Sequence, residues 1–187
     1  MSYFIDCEDF FFRALDSEDL DGTWPEWLND PVITRYQNKG YFPCSRDTQK
    51  EYLEQIRANS SDVVFALVEK QSGTHFGNAG LHNIDWLHRT AALGIVIGLR
   101  DFHGRGWGKT AWENITNYGF RTLGLDKLTA MVWDGNAASS RCAEACGYVV
   151  EGRQREQYFK NGVRIDAILM GLTRGDWERR NMEREGD

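Results

Sequence analysis

The chain has little proline, no paired cysteine motif and no long apolar run, and each lack excludes a class of protein. Three of its 187 residues are proline against 19 glycines, so it has tight turns to make but no stiff linker. Cys7, Cys44, Cys142 and Cys146 contain no CxxC pair of the zinc-holding kind. Cys142 and Cys146, four apart, suit core packing on one helix face, and no metal is expected. No window reaches the ~20 apolar residues of a spanning helix. The opening MSYFIDCEDFFFRAL has neither a basic start nor a long apolar stretch, so no membrane partner is expected and a cytoplasmic, reduced setting is. The 22 lysines and arginines form no stripe and face 28 acidic residues, for a net charge of -6; nucleic acid is not an expected partner.

What is present is enough apolar material for one sizeable core. Hydrophobic residues make up 41%, with seven tryptophans, which predicts one domain over 1–187, its core at about 9–173 and a charged tail at 174–187. Residues 9–15 read as a first strand. WPEWLNDPV (24–32) breaks any long helix. A helix is expected over 48–58, with Thr48 and Glu51 as a capping pair. Strand-like runs follow at 63–70, 76–84 and 91–99, the first two joined by the turn Gln71-Ser72-Gly73-Thr74. A Gly-rich loop (100–108) leads to a helix at 109–122, a strand at 127–133 and a helix from about 137 to 146 that stops at Gly147. Strands near 153–159 and 164–172 flank Lys160-Asn161-Gly162, and the tail reads as a solvated or frayed helix end. Hairpins first and a β-α-β-α unit second predict an α+β fold around one mixed, mostly antiparallel sheet of six to seven strands flanked by helices.

The most informative stretch is His103-Gly104-Arg105-Gly106-Trp107-Gly108-Lys109-Thr110, between an apolar strand and a helix. Glycines let successive N–H groups turn toward one point, and a helix start adds partial positive charge, a seat for phosphate or diphosphate. A nucleoside triphosphate is one candidate, since Gly104 to Thr110 nearly spells a P-loop. Three residues separate the glycines where four are needed, however, and half the chain precedes the loop. Coenzyme A is the other.

WLND (27–30), FALVEKQSGTHFGNAGLHNID (65–85), RTAALGIVIG (89–98), GRGWGKTA (104–111), YGFRTLGLDKLTAMV (118–132), NAASS (136–140) and CGYVVEGRQREQYFKNGVRIDAILMGL (146–172) carry a resemblance in their order and spacing. Over Trp27 to Trp177 the chain resembles the GNAT acetyltransferases, in particular the RimJ/RimL-type branch. The resemblance implies a splay between the strands near 91–98 and 127–133. It implies acetyl-CoA as co-substrate, no metal, and direct transfer to a primary amine: a protein N-terminus, an amino sugar or another small amine. The pyrophosphate turn would be His103 to Thr110, with His103 where Gln or Arg is usual. Ile95, Val96 and Ile97 would lie beside pantetheine, and Asn136 would line its other side or cap its helix. The state would be monomer or homodimer. A non-catalytic acyl-CoA-binding module and a P-loop-like nucleotide-binding protein are the alternatives.

Transfer to an amine needs a neutral nitrogen, support for the oxyanion and a proton for the leaving thiolate. A lysine-like amine, pKa about 10.4, is almost wholly protonated at pH 7, so a base or water must take a proton. Many relatives carry a Glu before the Gly loop and a Tyr in the following helix, where this chain has Ala92 and Ala143. By resemblance, Ser139 is the thiol partner and Tyr158 sits where the branch places a Glu. Glu156, two positions earlier on a strand, would share its face. Ser139, with Tyr158 or Glu156 for the amine proton, is the catalytic expectation. Trp24, Trp27, Tyr41 and Phe42 would wall the acceptor cleft, with core packing beneath WLND the other reading of Trp27. His82 and Asp85, closing a strand beside it, are acceptor-side candidates or else solvent-facing or turn-forming residues, and neither is a catalytic candidate.

Overall fold

A computed structural model describes residues 3–185 of the chain; the expectation for 1–187 falls outside the described residues at its two ends. Three consecutive phenylalanines start the core. Phe10, Phe11 and Phe12 are all buried on strand β2 (Phe10–Ala14), so this strand is covered on both faces, as an apolar run without alternation requires. A two-residue β1 (Ile5–Asp6) pairs with it. The run continues through β3 (Val63–Glu69), β4 (His75–Asp85), β5 (Thr90–Ile97), β6 (Lys127–Trp133), β7 (Val149–Lys160) and β8 (Val163–Thr173). They form one eight-stranded sheet in the order β1-β2-β3-β4-β5-β6-β8-β7. Every pairing is antiparallel except β5 with β6. The eighth strand, beyond the expected six to seven, is the short β1.

Helices cover both faces. On one, α1 (Trp24–Trp27) and α2 (Arg46–Ala58) pack Trp24, Trp27 and Leu53 against Phe11, Val64, Ala66 and Val68. On the other, α3 (Trp107–Asn117) and α4 (Ala137–Ala145) lie over Phe10, Phe12, Leu81, Leu93, Leu128 and Val132. Alternation along each strand sorts its side chains between these faces. The helix α2 begins two residues before the expected start. Ser45, not Thr48, is its N-cap, accepting from the Thr48 N–H at 3.2 Å. Likewise α3 opens at Trp107 and runs on as a wider π turn over Tyr118–Thr122. Asn161 and Gly162 both have positive φ, which fits the tight turn expected between β7 and β8.

The charged tail differs from expectation. It forms helix α5 (Arg174–Glu185), docked rather than solvated. Trp177 is buried against Phe120, ring centroids 5.2 Å apart, and its indole N–H donates to Asn117 Oδ1 at 2.9 Å. Arg180 reaches the Ala145 carbonyl at the end of α4.

Strands β5 and β6 make the feature that matters for function. They pair only at Thr90 with Lys127, Ala91 with Leu128 and Ala92 with Thr129. Beyond these residues β5 runs on to Ile97 and β6 to Trp133, each held by its other neighbour, β4 or β8. The two strands therefore part into an open wedge in mid-sheet, at the expected place.

Candidate active site at the splay

An unpaired strand edge exposes main-chain hydrogen-bonding groups, and the register says which. The Gly98 N–H donates to Phe76 O on β4 at 2.8 Å. Since successive residues alternate, Val96 and Gly94 also point to β4, while Ile95 and Ile97 turn their N–H and C=O groups into the wedge. The Ile97 carbonyl meets His103 Nε2 at 3.0 Å. Among the described residues Ile95 keeps a free donor and acceptor facing the wedge. Val96 does not: its main chain belongs to Asn78 of β4, so of the three expected pantetheine neighbours it offers only its side chain, on the α1/α2 face.

The Gly-rich turn closes the wider end of this wedge. Gly104 and Gly106 have φ of +76° and +83°, a left-handed conformation that a side chain would strain. A Cβ at Gly104, Gly106 or Gly108 would meet nothing within 4 Å, so space for a ligand lies over all three. Gly106 is the N-cap of α3 without a capping side chain among the described residues. Lys109 and Thr110 N–H groups return to Gly106 O at 3.0 and 3.2 Å, leaving the N–H groups before them without helical acceptors. Side chains fix the turn. Trp107 is buried with its indole N–H on Asp9 Oδ2 at 3.1 Å. Arg105 lies over the Phe102 and Trp107 rings, 4.6 and 5.1 Å from their centroids, and bonds Asp101 O and Glu69.

Across the wedge, Asn136 caps α4, its Oδ1 accepting from the Ser139 N–H at 3.3 Å. The Ser139 hydroxyl, in the first turn of α4, makes no hydrogen bond among the described residues. Leu128, Ala130 and Val132 of β6 face α3, so Met131 and Trp133 face the α1/α2 side. Tyr158 stacks on Trp133 at 4.2 Å and 15°, its hydroxyl 2.5 Å from Met131 Sδ. Burial raises the Tyr158 pKa from its ordinary value. On the β5 side of the same opening stands His82, opposite Ala92 in the ladder. Its Nδ1 is 3.1 Å from Asp62 Oδ1. A segment without helix or strand, residues 34–41, walls the Trp133 end. Lys160 holds it there, donating to the carbonyls of Thr34, Gln37 (3.0 Å) and Lys39 (2.6 Å), and Tyr41 donates to Phe159 O at 2.9 Å.

A sheet parted beside a glycine turn at a helix start is the frame of one acyltransferase family. Residues 9–149 match the profile of the acetyltransferase (GNAT) domain. The chain belongs to the GNAT acetyltransferases. Among similar proteins, YdaF of Bacillus subtilis (strain 168), which carries the provisional name ribosomal N-acetyltransferase, is 30% identical over 181 residues, 91% of this chain and 94% of its own. The spermidine N(1)-acetyltransferase of Escherichia coli (strain K12) is 32% identical over 159 residues, 84% and 82% of the two chains. The crystal structure of spermidine N-acetyltransferase from Vibrio cholerae in complex with CoA and spermine superposes with a TM-score of 0.83. It is 26% identical, covering 91% of this chain and 98% of that one. The protein is an N-acetyltransferase, and acetyl-CoA fits it as co-substrate. The open glycine turn suits a diphosphate, and the Ile95 amide edge suits a chain of amide groups.

In this acetyltransferase several expected site residues serve the fold instead. Trp24 and Trp27 are 2% and 3% exposed. Trp27 lies flat on Gly98, where a Cβ would come within 1.9 Å of its ring, and its indole N–H donates to Thr23. Of the four aromatics expected to wall the cleft, Tyr41 reaches it. Asp85 Oδ1 accepts from Leu87 and His88 N–H groups, fixing the β4–β5 turn. Glu156 does not share a face with Tyr158. Three residues of β7 bulge between Gln154, opposite Ala167, and Tyr158, opposite Ile165. Glu156 is in that bulge with φ +52°, and its N–H is tied to Asp166 Oδ1 at 2.7 Å, so period-two alternation fails there. Met131, Trp133 and Lys160 were missed; Lys160 reads as a turn residue, although its side chain is drawn inward.

Proposed function

We propose that the enzyme passes the acetyl group of acetyl-CoA directly to a primary amine held on the α1/α2 face of the splay, within a ternary complex. We place it in the cytoplasm and in the RimJ/RimL-type branch. The observation that carries this reading is the wedge itself. Ile95 offers a free N–H and C=O on one face-crossing edge, with the glycine turn at its end, while Tyr158, Met131 and Trp133 line the opening on the other side. Acetyl-CoA supplies an activated acyl carbon. The chain's own residues bind and orient it: the turn from His103 to Thr110 holds the diphosphate through the main-chain N–H groups of its middle residues, Gly104 to Gly108, with Lys109 beside it, and Ile95 and Ile97 align the pantetheine amides. Ser139 at the first turn of α4 takes the sulfur as a hydrogen-bond partner. Tyr158, whose pKa burial raises, keeps its proton at neutral pH and so acts as a donor, not as a base. Glu156 is left as a solvent-side acceptor. A small diamine or polyamine suits the acceptor face, in keeping with the spermidine enzymes among the similar proteins.

The test is an amine panel with detection of released thiol, run beside calorimetry with CoA. Tyr158→Phe is expected to lower kcat about 10²-fold with CoA affinity intact. Tyr158→Phe and Glu156→Gln both at wild-type rates across pH would remove these assignments, and no CoA binding at all would remove the reading.

A further inference from the structure

With Tyr158 a donor and Ala92 and Ala143 in place of titratable groups, the proton of the incoming ammonium needs an acceptor. We infer that His82, oriented by Asp62, is the general base that takes it. The inference rests on the acetyltransferase reading above and assigns the base within it.

Position comes first. Gly77, Ala79 and Leu81 of β4 pair with Ile97, Ile95 and Leu93, whose side chains pack on the α3 face. His82 therefore lies on the opposite, acceptor face together with its ladder partner Ala92 and with Gly94. Two small residues there give the imidazole room to lean over β5. A Cβ built on Gly94 would sit 3.2 Å from His82 Cδ2 and 3.3 Å from Nε2. Ring and wedge are thus separated by one strand that carries no bulky side chain at 92 or 94. Tyr158 stands over β6 on the far side of the same opening, so a base and a donor flank it.

Orientation comes next. Asp62 Oδ1 can only accept, so the proton of the His82–Asp62 contact sits on Nδ1, and in the neutral ring the lone pair is on Nε2, the nitrogen turned toward Gly94. Asp62 is fixed in turn: Oδ1 accepts from the Asn83 N–H at 3.2 Å, Oδ2 from the Asn59 amide at 3.1 Å, and its own N–H donates to Asn59 Oδ1 at 2.9 Å. Asn83 has φ +51°, a left-handed step that ends the alternation just after His82. The carboxylate of Asp62 is in contact with the ring. The phenol of Tyr52 on α2, pushed up to about 12 chiefly by burial and also by Asp62, stays neutral.

The step balances. The ammonium gives one proton to His82 Nε2, and the neutral nitrogen bonds the acetyl carbon as the carbon–sulfur bond breaks. The thiolate takes the proton that the acylated nitrogen sheds, by way of the Tyr158 hydroxyl. His82 returns its proton to water.

The experiment compares wild type with His82→Gln and Asp62→Asn on the best amine of the panel, from pH 6.5 to 9.5, with acetyl-CoA affinity measured separately by calorimetry. His82→Gln is expected to lose about 10²-fold in kcat/KM at pH 7, with acetyl-CoA Kd within threefold. The deficit should shrink as pH approaches the amine's own pKa, because a neutral nucleophile then needs no base. Asp62→Asn should lose about tenfold and follow the same trend. A His82→Gln enzyme within threefold of wild type throughout overturns this inference alone, as does a deficit that is constant with pH or matched by lost acetyl-CoA affinity. A wild-type protein that acetylates no amine overturns the functional reading, and this inference with it.

Discussion

At the scale of single residues, the most buried carboxylate is Asp19, in the short turn after β2. It is 6% exposed, yet it receives Arg13 through both carboxylate oxygens at 2.8 and 2.6 Å and His75 Nδ1 at 3.1 Å. Burial alone would raise its pKa, but the hydrogen bonds from Arg13 and His75 outweigh it and hold the carboxyl well below its usual range. A group depressed in the folded state stabilises above its unfolded pKa of about 3.9, and that contribution fades as pH falls toward the folded value. Urea unfolding followed from pH 7 downward should therefore show stability declining below about pH 4. Asp19→Asn should flatten that decline and cost about 3 kcal/mol at pH 7, since it leaves Arg13 without its buried partner. The sequence hides this, because Arg13, Asp19 and His75 have no spacing that announces contact. Asn136 before Ala137 was readable as a cap because capping is local. Trp24 is in the core and not the cleft wall, and Trp27 takes the core position that was one of its two readings, because an aromatic side chain looks the same in sequence whether it lines a cleft or fills a core.

At the scale of elements, local signals fixed the helices well and the irregular steps poorly. The strand around 153–159 was visible from its composition, but the three-residue bulge that lifts Glu156 was not. It depends on Asp166 in the next strand, which accepts from the Glu156 N–H and pairs with Arg153 at 2.5 Å. The tail shows the same limit. DWERRNMEREGD reads as solvated because charges dominate, but one tryptophan is enough to dock its helix on the π turn at the end of α3. Trp177→Ala removes a side chain 8% exposed that packs on Phe120. Truncations of this kind cost about 3 kcal/mol or more in a core that cannot collapse. Chemical denaturation should show that loss, with CoA affinity unchanged because α5 lies away from the glycine turn. A variant of wild-type stability would mean that α5 is only loosely held.

At the scale of the whole molecule, the splay joins two half-sheets through three residue pairs, and a ligand in the wedge should couple them. No periodicity in the sequence announces it; the resemblance did, because a gap between paired strands is a property of the fold rather than of any segment. Its consequence can be measured at single amides. Ile95 and Ile97 point into the wedge, whereas Gly94 and Val96 are bonded to β4. Hydrogen exchange follows the presence of a hydrogen-bond partner and the cost of opening it. Without ligand, the Ile95 and Ile97 N–H groups should exchange fast while their immediate neighbours at 94 and 96 stay protected, an alternation that local fraying of the strand could not produce. Saturating CoA should slow exchange at Ile95 strongly and leave Gly94 and Val96 nearly as before. At a ligand concentration of 100 times Kd it should also stabilise the protein by about 2.7 kcal/mol, and ATP should do neither. Uniform protection along β5 without ligand would mean that the wedge is closed in solution, and protection by ATP equal to that by CoA would place a different ligand in it.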